Sequence, residues 1–501
     1  MRKIFFTICT LMLLVCSCDL NLTPTSSIST ADALSSMDDA QKLRRDLYIT
    51  IRSSIASGAP VYIQELMTDS FHGSITYGNS NGEYYKWEMR STFGNIESLW
   101  SNCYYLVMLA NFLEDGIPEL AKNATNAEKE QYNVILGECA FSKAFAMFKL
   151  TQLYCGNYDA STASTAMGVM LSDSPFTTPS VQSSYPGRSS MADTYAYIES
   201  NLSKAESLLA GVKGSEGAIY FTADAVKALK ARIALTKGDY GTAAQCAEAI
   251  ISSGTYPLID NEDDFVQMWR RDSGKECIVQ MWADVQSTPS SNDWGYIKYT
   301  GGIYAPNYIP EKWITEAYAK GDYRFSTWFK YVKASLGNYS GDIYICYKFP
   351  GNPDIMKSAT ATDCLHKVKL FRTAEQYLIA AEANARLNNG TKANDYLNAL
   401  RKSRIPGYVN HAYSGDELMA EIKAERAKEF YGEGFRYTDL KRWNEGFARS
   451  EAQNKELVVS AGSTNTELLS RTASDPFWLW PIPQAEIDSN PQIRTQQNPG
   501  Y

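Results

Sequence analysis

Histidine is almost absent: His72, His366 and His411 are the only three in 501 residues. None stands at the spacing of a metal-ligand or catalytic pair, and no HExxH, GxSxG or P-loop pattern occurs. Zinc hydrolysis, serine-hydrolase chemistry and phosphate transfer are thereby disfavoured. A basic block is missing too. The 48 Lys and Arg are outnumbered by 56 Asp and Glu, for a formal charge of −8, which argues against a nucleic-acid partner. No run approaches the roughly 20 apolar residues that a membrane-spanning helix needs. The ten cysteines form no CxxC pair. The seven beyond the N-terminal region are an odd, widely spaced set, neither a disulfide framework nor a zinc site. Cys139 and Cys246 fall in alanine-rich helical patterns and read as buried, inert small hydrophobes. Carboxylates are plentiful, but their number alone does not make a glycosidase. The expectation is a chain that catalyses nothing, holds no metal and needs no cofactor.

What is present starts at the N-terminus. Arg2 and Lys3 precede an apolar run from Ile4 to Val15, too short to span a bilayer but suited to a cleavable export signal. It ends in Val15-Cys16-Ser17-Cys18, the form of a bacterial lipobox. Residues 1–17 are expected to be removed and the Cys18 thiol to carry diacylglycerol. Two or three acyl chains anchor stably, at about 0.8 kcal/mol per buried methylene. Residues 18–37, rich in Ser, Thr, Asn and Pro, read as the tether.

The remainder, residues 38–501, is expected to form one mainly α domain. Its helical scaffold covers about 38–283 and 365–501, with a loop-rich insertion over about 284–364. Helical periodicity marks 38–56, 96–113, 126–154 and 192–209, while 68–95 and 155–190 are loop-like. Two later segments echo each other. In each, a helix, a tight turn (Gly238-Asp239, Asn388-Asn389-Gly390) and a second helix place small residues twelve apart, Ala231 with Ala243 and Ala381 with Ala393. Small residues there let antiparallel helices approach closely. The pattern resembles the tetratricopeptide helix pair, or two hairpins with similar packing needs.

Residues 422–443, from Ile422-Lys423-Ala424-Glu425-Arg426 through Gly432-Glu433-Gly434 to Arg442-Trp443, read as a charged helix, a glycine break and a second helix. Arg436, Leu440, Trp443 and Phe447 fall on one face of that second helix. Glu425, Arg426, Glu429, Glu433, Arg436, Asp439 and Arg442 alternate in sign at helical spacing, which reads as ion pairing that fixes the two helices against each other. The motif closely resembles the signature of the SusD/RagB family of surface lipoproteins. The resemblance extends over nearly the whole chain: the segment Phe371 to Arg404, the ending Trp480-Pro481-Ile482-Pro483-Gln484 through Asn490-Pro491 to Tyr501, and the lipobox with Asp19 and Pro24 behind it. Tyr437 departs from it, where many members carry tryptophan.

This resemblance implies a SusD-like fold, tetratricopeptide-like helix pairs under a variable, loop-rich face. It also implies a protein exposed on the cell outer membrane through its lipid anchor. Its partner would be a SusC-like TonB-dependent transporter and its cargo an oligosaccharide. A peptide- or other nutrient-capturing lid of the same transporter type is the alternative, as is a non-binding structural partner. Sugars present flat C–H faces and many hydroxyls, so their sites need aromatic platforms beside amides and carboxylates. The chain holds 33 Tyr and ten Trp against 19 Phe, and two loop regions concentrate the right chemistry. One carries Tyr77, Asn81, Tyr84, Tyr85 and Trp87; the other carries Asn292, Asp293, Trp294, Tyr299 and Tyr304. Core packing is the competing reading of each aromatic, and Trp294, between Asp293 and Gly295, is the first choice for ligand contact.

Overall fold

The computed structural model describes residues 33–77, 81–174, 185–291, 294–357, 362–459 and 469–501. The expected signal, Cys18 and most of the tether lie outside the described residues. Helix α1 (Met37–Thr50) starts where Ser36 accepts a hydrogen bond from Asp39 N, and it runs into a π turn at Ile51–Ile55. After α2 (Ala59–Leu66) come two long helices, α3 (Gly94–Ala121) and α4 (Asn126–Tyr154). A capping box between Thr125 and Glu128 fixes the start of α4, so the periodicity over 126–154 coincides with the helix. By contrast α3 runs well beyond 96–113, because its ends carry no periodic signal.

Helices α5 (Met191–Leu208), α6 (Ala223–Lys237) and α7 (Tyr240–Ser252) continue the array. Then α8 (Thr373–Arg386) and α9 (Gly390–Arg404) join it, followed by α10 (Gly415–Glu429) and α11 (Arg436–Trp443). From α3 to α10 each helix packs on the next, and the two hairpins that echo in sequence meet directly, α7 against α8. Ala231, Ala243, Ala381 and Ala393 are all fully buried. Alanine faces of α6, α7 and α8 form one cluster, with Ala234, Ala247, Ala380 and Ala383 in contact. Helix pairs separated by 120 residues of sequence thus stack as one mainly α array, with no closed sheet among the described residues. No helix of the described residues is long and apolar enough to cross a membrane.

The expected loop-rich segment 284–364 is more ordered than its composition implies. Strands β3 (Tyr299–Thr300), β4 (Ile303–Tyr304), β6 (Phe329–Leu336) and β7 (Tyr339–Cys346) form a four-stranded sheet. Eight consecutive residue pairs join β6 to β7. Their two-residue loop is Gly337-Asn338, with Gly337 at φ +60°, the conformation a tight hairpin demands. Strand β1 (Phe71–Gly73) pairs with β5 (Tyr308–Pro310), and β2 (Cys277–Gln280) with β8 (Lys369–Arg372).

The charged motif is structural, but it reaches further than two helices. Arg436 lies on α11, yet Phe447 stands in a later strand beyond the left-handed Asn444 that ends the helix. The Glu429 carboxylate is fully buried and accepts from Arg372 (2.7 Å), Arg324 (3.1 Å) and Arg404 (3.2 Å). Glu425 takes Arg324 at 2.6 Å and Arg401 at 2.7 Å. Glu433 takes Lys348 and Arg372, both at 2.6 Å. On the other side, Arg426 pairs with Asp439 (2.8 Å), Arg442 with Glu382 (2.7 Å) and Arg436 with Asp69 (2.8 Å). The motif therefore pins β8, α9, α8, the β6–β7 sheet and the start of β1 to one point. The turn through Gly432 and Gly434 is positive in φ, at +78° and +80°. A β-carbon on Gly434 would also meet Val61 at 3.2 Å, so both conformation and space require glycine there.

These carboxylates set the acid limit of stability. Burial pushes the Glu382 carboxyl up, but Arg442, Arg426 and the Trp443 hydrogen bond outweigh it and hold the group at about 2. Glu425 and Glu433 are likewise held below their ordinary range, burial being outweighed by Arg324 and Lys428 in the first and by Arg372 and Lys348 in the second. A folded-state pKa below the unfolded one gives stability that is complete above about pH 5 and lost as pH falls. Glu382 alone contributes about 3 kcal/mol in this way. Urea unfolding midpoints should be flat from pH 8 to 6 and fall steeply from pH 5 to 3. In Glu382→Gln the fall should be shallower, from a lower plateau.

Candidate functional site

Two segments far apart in sequence are laced together. In the β1–β5 ladder Phe71 stands opposite Pro310 and Gly73 opposite Tyr308. Beyond it, Ser74 N donates to Asn307 O at 2.8 Å and Asn307 N donates to Gly295 O at 2.7 Å. The Tyr77 ring lies 5.7 Å from Tyr85 and 6.2 Å from Tyr308. It sits so close to Gly82 that a β-carbon there would be 2.5 Å from it, which excludes any larger residue. Tyr62 of α2 completes the edge: its hydroxyl accepts from Asn81 Nδ2 at 2.9 Å, and Asn81 Oδ1 accepts from Asn95 at 3.0 Å. Tyr77 and Asn81 are half-buried. Trp294 opens the four-residue helix Trp294–Ile297, whose Gly295 lies against the Tyr308 ring. The two loop regions singled out in the sequence therefore share one region of the molecule. Asn292, Asp293 and the side chain of Trp294 lie outside the described residues.

The other predicted tyrosines form a surface of their own. Tyr299 and Tyr304 face each other across β3 and β4 with ring centroids 4.6 Å apart, both half-buried. Exposed Lys330 on β6 donates to Tyr304 Oη at 2.7 Å. Its ammonium lies 5.1 Å from the Tyr304 ring and 4.9 Å from the Tyr347 ring. The hydrogen bond to Tyr304 holds that ammonium above its ordinary range. Paired rings beside a fixed cation offer an apolar face and a donor to a hydroxyl-rich ligand.

Tyr84, Tyr85 and Trp87 correct the expectation. All three are core residues, 3%, 1% and 3% exposed. Trp87 Nε1 donates to Met67 O at 2.8 Å, and its ring meets Trp478 at 4.9 Å. The Arg449 guanidinium lies 3.6 Å over the Tyr85 ring, and Tyr84 packs on Phe93 and Trp480. Their polar, glycine-rich neighbours in sequence mimic a loop platform, but partners hundreds of residues away bury them.

Other aromatics escaped the sequence reading. Tyr331 is 61% exposed and lies tilted against Tyr344, centroids 4.9 Å apart, on the opposite face of the β6–β7 hairpin; Tyr339 and Trp282 are also exposed. The signal for the hairpin was there. Gly-Asn between two alternating runs, Tyr331-Val332-Lys333-Ala334 and Asp342-Ile343-Tyr344-Ile345, marks a two-residue hairpin. The seven cysteines among the described residues are free and buried, Cys139 and Cys246 included. His72 is pushed down to about 4 by burial and by Arg449, and no group of three or more His, Cys, Asp or Glu among the described residues is placed to hold a metal.

Comparison with known proteins agrees with this architecture. Residues 260–501 match the SusD family, and residues 23–235 match a family described as starch-binding, associating with outer membrane. A SusD-like protein of Formosa agariphila is 24% identical over 444 residues, covering 80% of this chain and 79% of that one. Among solved structures, a SusD superfamily protein from Bacteroides thetaiotaomicron superposes with a TM-score of 0.76 at 23% identity, covering 93% of this chain and all of that one. A SusD-like carbohydrate binding protein from Bacteroides vulgatus gives 0.72 at 17%, covering 92% and 98%. Surface glycan-binding protein A from Bacteroides fluxus gives 0.67 at 20%, covering 93% and 100%. The family matches at both ends of the chain, the stacked helix pairs and the buried charged motif together identify the chain as a member of the SusD family.

Proposed function

We propose that this protein captures oligosaccharides at the outer surface of an outer membrane and delivers them to a SusC-like TonB-dependent transporter. Its anchor would be the lipid on Cys18. The reading is of a binding protein, not an enzyme. The observation that carries it is the half-buried pair Tyr299–Tyr304 with Lys330 bonded to it. Two adjacent, mutually tilted rings give a sugar's C–H face a platform, and the ammonium gives its hydroxyls a fixed donor. Tyr77 and Asn81, with Tyr62, would form a second contact, and Trp294 is proposed as a further ligand residue. The names of relatives support the cargo: a carbohydrate binding protein and a surface glycan-binding protein share the fold. The family description associating with outer membrane supports the location.

Calorimetric titration of residues 19–501 with panels of oligosaccharides and peptides tests the reading. One glycan class should give a saturable signal. Tyr304→Ala should weaken it about tenfold, the loss of one stacking face worth about 1.4 kcal/mol, and Trp294→Ala should weaken it as well. A peptide signal with silence across sugars would replace the cargo and leave the family standing.

A further inference from the structure

A different cleft stands out by its charge. It lies between α4, the Ile55–Ser57 turn, β8 and the start of α11, and encloses about 1010 Å³ with its mouth included. Its floor is one stripe of α4: Phe145, Phe148, Lys149 and Gln152. Lys367 and Arg232 face it from other elements. Neither Tyr299, Tyr304 nor Lys330 is among its lining residues.

The cations of this cleft are not equivalent. Arg232 is held by both oxygens of Glu375 at 2.6 and 2.7 Å. Lys369 donates to Asp272 at 2.6 Å. The one lining carboxylate, Glu433, is already shared by Lys348 and Arg372. Lys149 and Lys367 are left: neither ammonium has a hydrogen-bond or ion-pair partner among the described residues, though both side chains are partly buried. Elsewhere this protein supplies acceptors to its buried ammoniums. Lys441, also pushed down by burial, donates to two backbone carbonyls, Gln152 O at 2.7 Å and Cys155 O at 2.6 Å. Burial and the Arg232 guanidinium push the Lys149 ammonium down to about 8, so it remains mostly charged at neutral pH. An unpaired cation set beside two phenylalanines on a helix face costs stability and is the expected form of a site whose counter-charge arrives with a ligand.

We propose that this cleft binds a small carboxylate-bearing ligand, the anion set between Lys149 and Lys367 and its apolar face against Phe145 and Phe148. Two cations with no acceptor among the described residues, lining one aromatic-walled cleft, fit one anionic group on a compact body. A carboxylate of that size has two sources, a sugar acid or the end of a peptide, and the test separates them.

The probes are sodium D-glucuronate, acetyl-alanine and D-glucose, titrated by ligand-observed NMR into residues 19–501. At least one of the two carboxylates should bind, more weakly at 500 mM than at 50 mM NaCl, while glucose should not compete with it. Which carboxylate binds names the source. Lys149→Gln and Lys367→Gln should each weaken binding at least tenfold. Lys149→Gln should also raise the ligand-free melting temperature, because it removes an uncompensated charge. Tyr304→Ala should leave carboxylate binding unchanged, so this inference stands or falls apart from the proposed cargo. Failure of both carboxylates to bind, or unaltered affinity in both lysine variants, would overturn it. A melting temperature lowered by Lys149→Gln would also overturn it, since Lys149 would then have a structural partner.

Discussion

Glu429→Gln should lower the unfolding free energy by about 3–5 kcal/mol, a large part of what holds any domain folded. The carboxylate is wholly buried and accepts hydrogen bonds from Arg324, Arg372 and Arg404. Glutamine keeps the shape but brings two N–H donors where guanidinium donors already point, and it removes the charge that lets three cations share one interior. Arg324 would keep Asp322 and Glu425, and Arg372 would keep Glu433. Arg404 would keep Glu276 at 2.7 Å. Those remaining partners confine the loss to a destabilised fold with the same architecture. Denaturant unfolding checks the magnitude. As a control, Asp38→Asn removes the exposed pair with Lys42 and should leave the unfolding midpoint unchanged.

Trp87→Ala should cost about as much, 3–5 kcal/mol, the range for truncating a buried tryptophan. It empties the space between Tyr437, Phe447 and Trp478 and deserts the Met67 carbonyl. One effect opposes this. Trp87 sits at φ +62°, a conformation that is strained for a bulky residue by about 1–3 kcal/mol. Trp87→Gly relieves that strain as well as opening the cavity, so it should be no worse than Trp87→Ala and can be better, the reverse of the usual order. Thermal unfolding of the two variants side by side decides this. Glycan affinity per folded molecule should be unaltered in both, since the ring is not presented to solvent.

Those two residues show where sequence reading works and where it stops. The charge alternation around Glu429 and the Gly432–Gly434 break could be recognised as structure, because period and sign are local properties. The partners of Glu429 could not, since Arg324, Arg372 and Arg404 are scattered over 80 residues and meet only in three dimensions. The alanines at twelve-residue spacing were legible for the same local reason, and the direct stacking of their two hairpins was not. Aromatics are harder. Tyr77, Tyr84, Tyr85 and Trp87 share one polar neighbourhood in sequence, yet only Tyr77 is left half-buried, because Arg449, Trp478 and Trp480 cover the others. Tyr299 and Tyr304 were picked out by composition alone. Their pairing depends on the short antiparallel register of β3 and β4, and Lys330 on a hairpin whose Gly-Asn turn was overlooked.

In the proposed function, a tyrosine surface on the small sheet holds the sugar. Titration of wild-type protein and Tyr304→Ala with the same oligosaccharide panel, in parallel, tests it most directly. One saturable glycan class is expected in the wild type and about tenfold weaker binding in the variant, with equal melting temperatures. Glycan binding unchanged in Tyr304→Ala would contradict it, and so would silence toward every sugar in the wild-type protein.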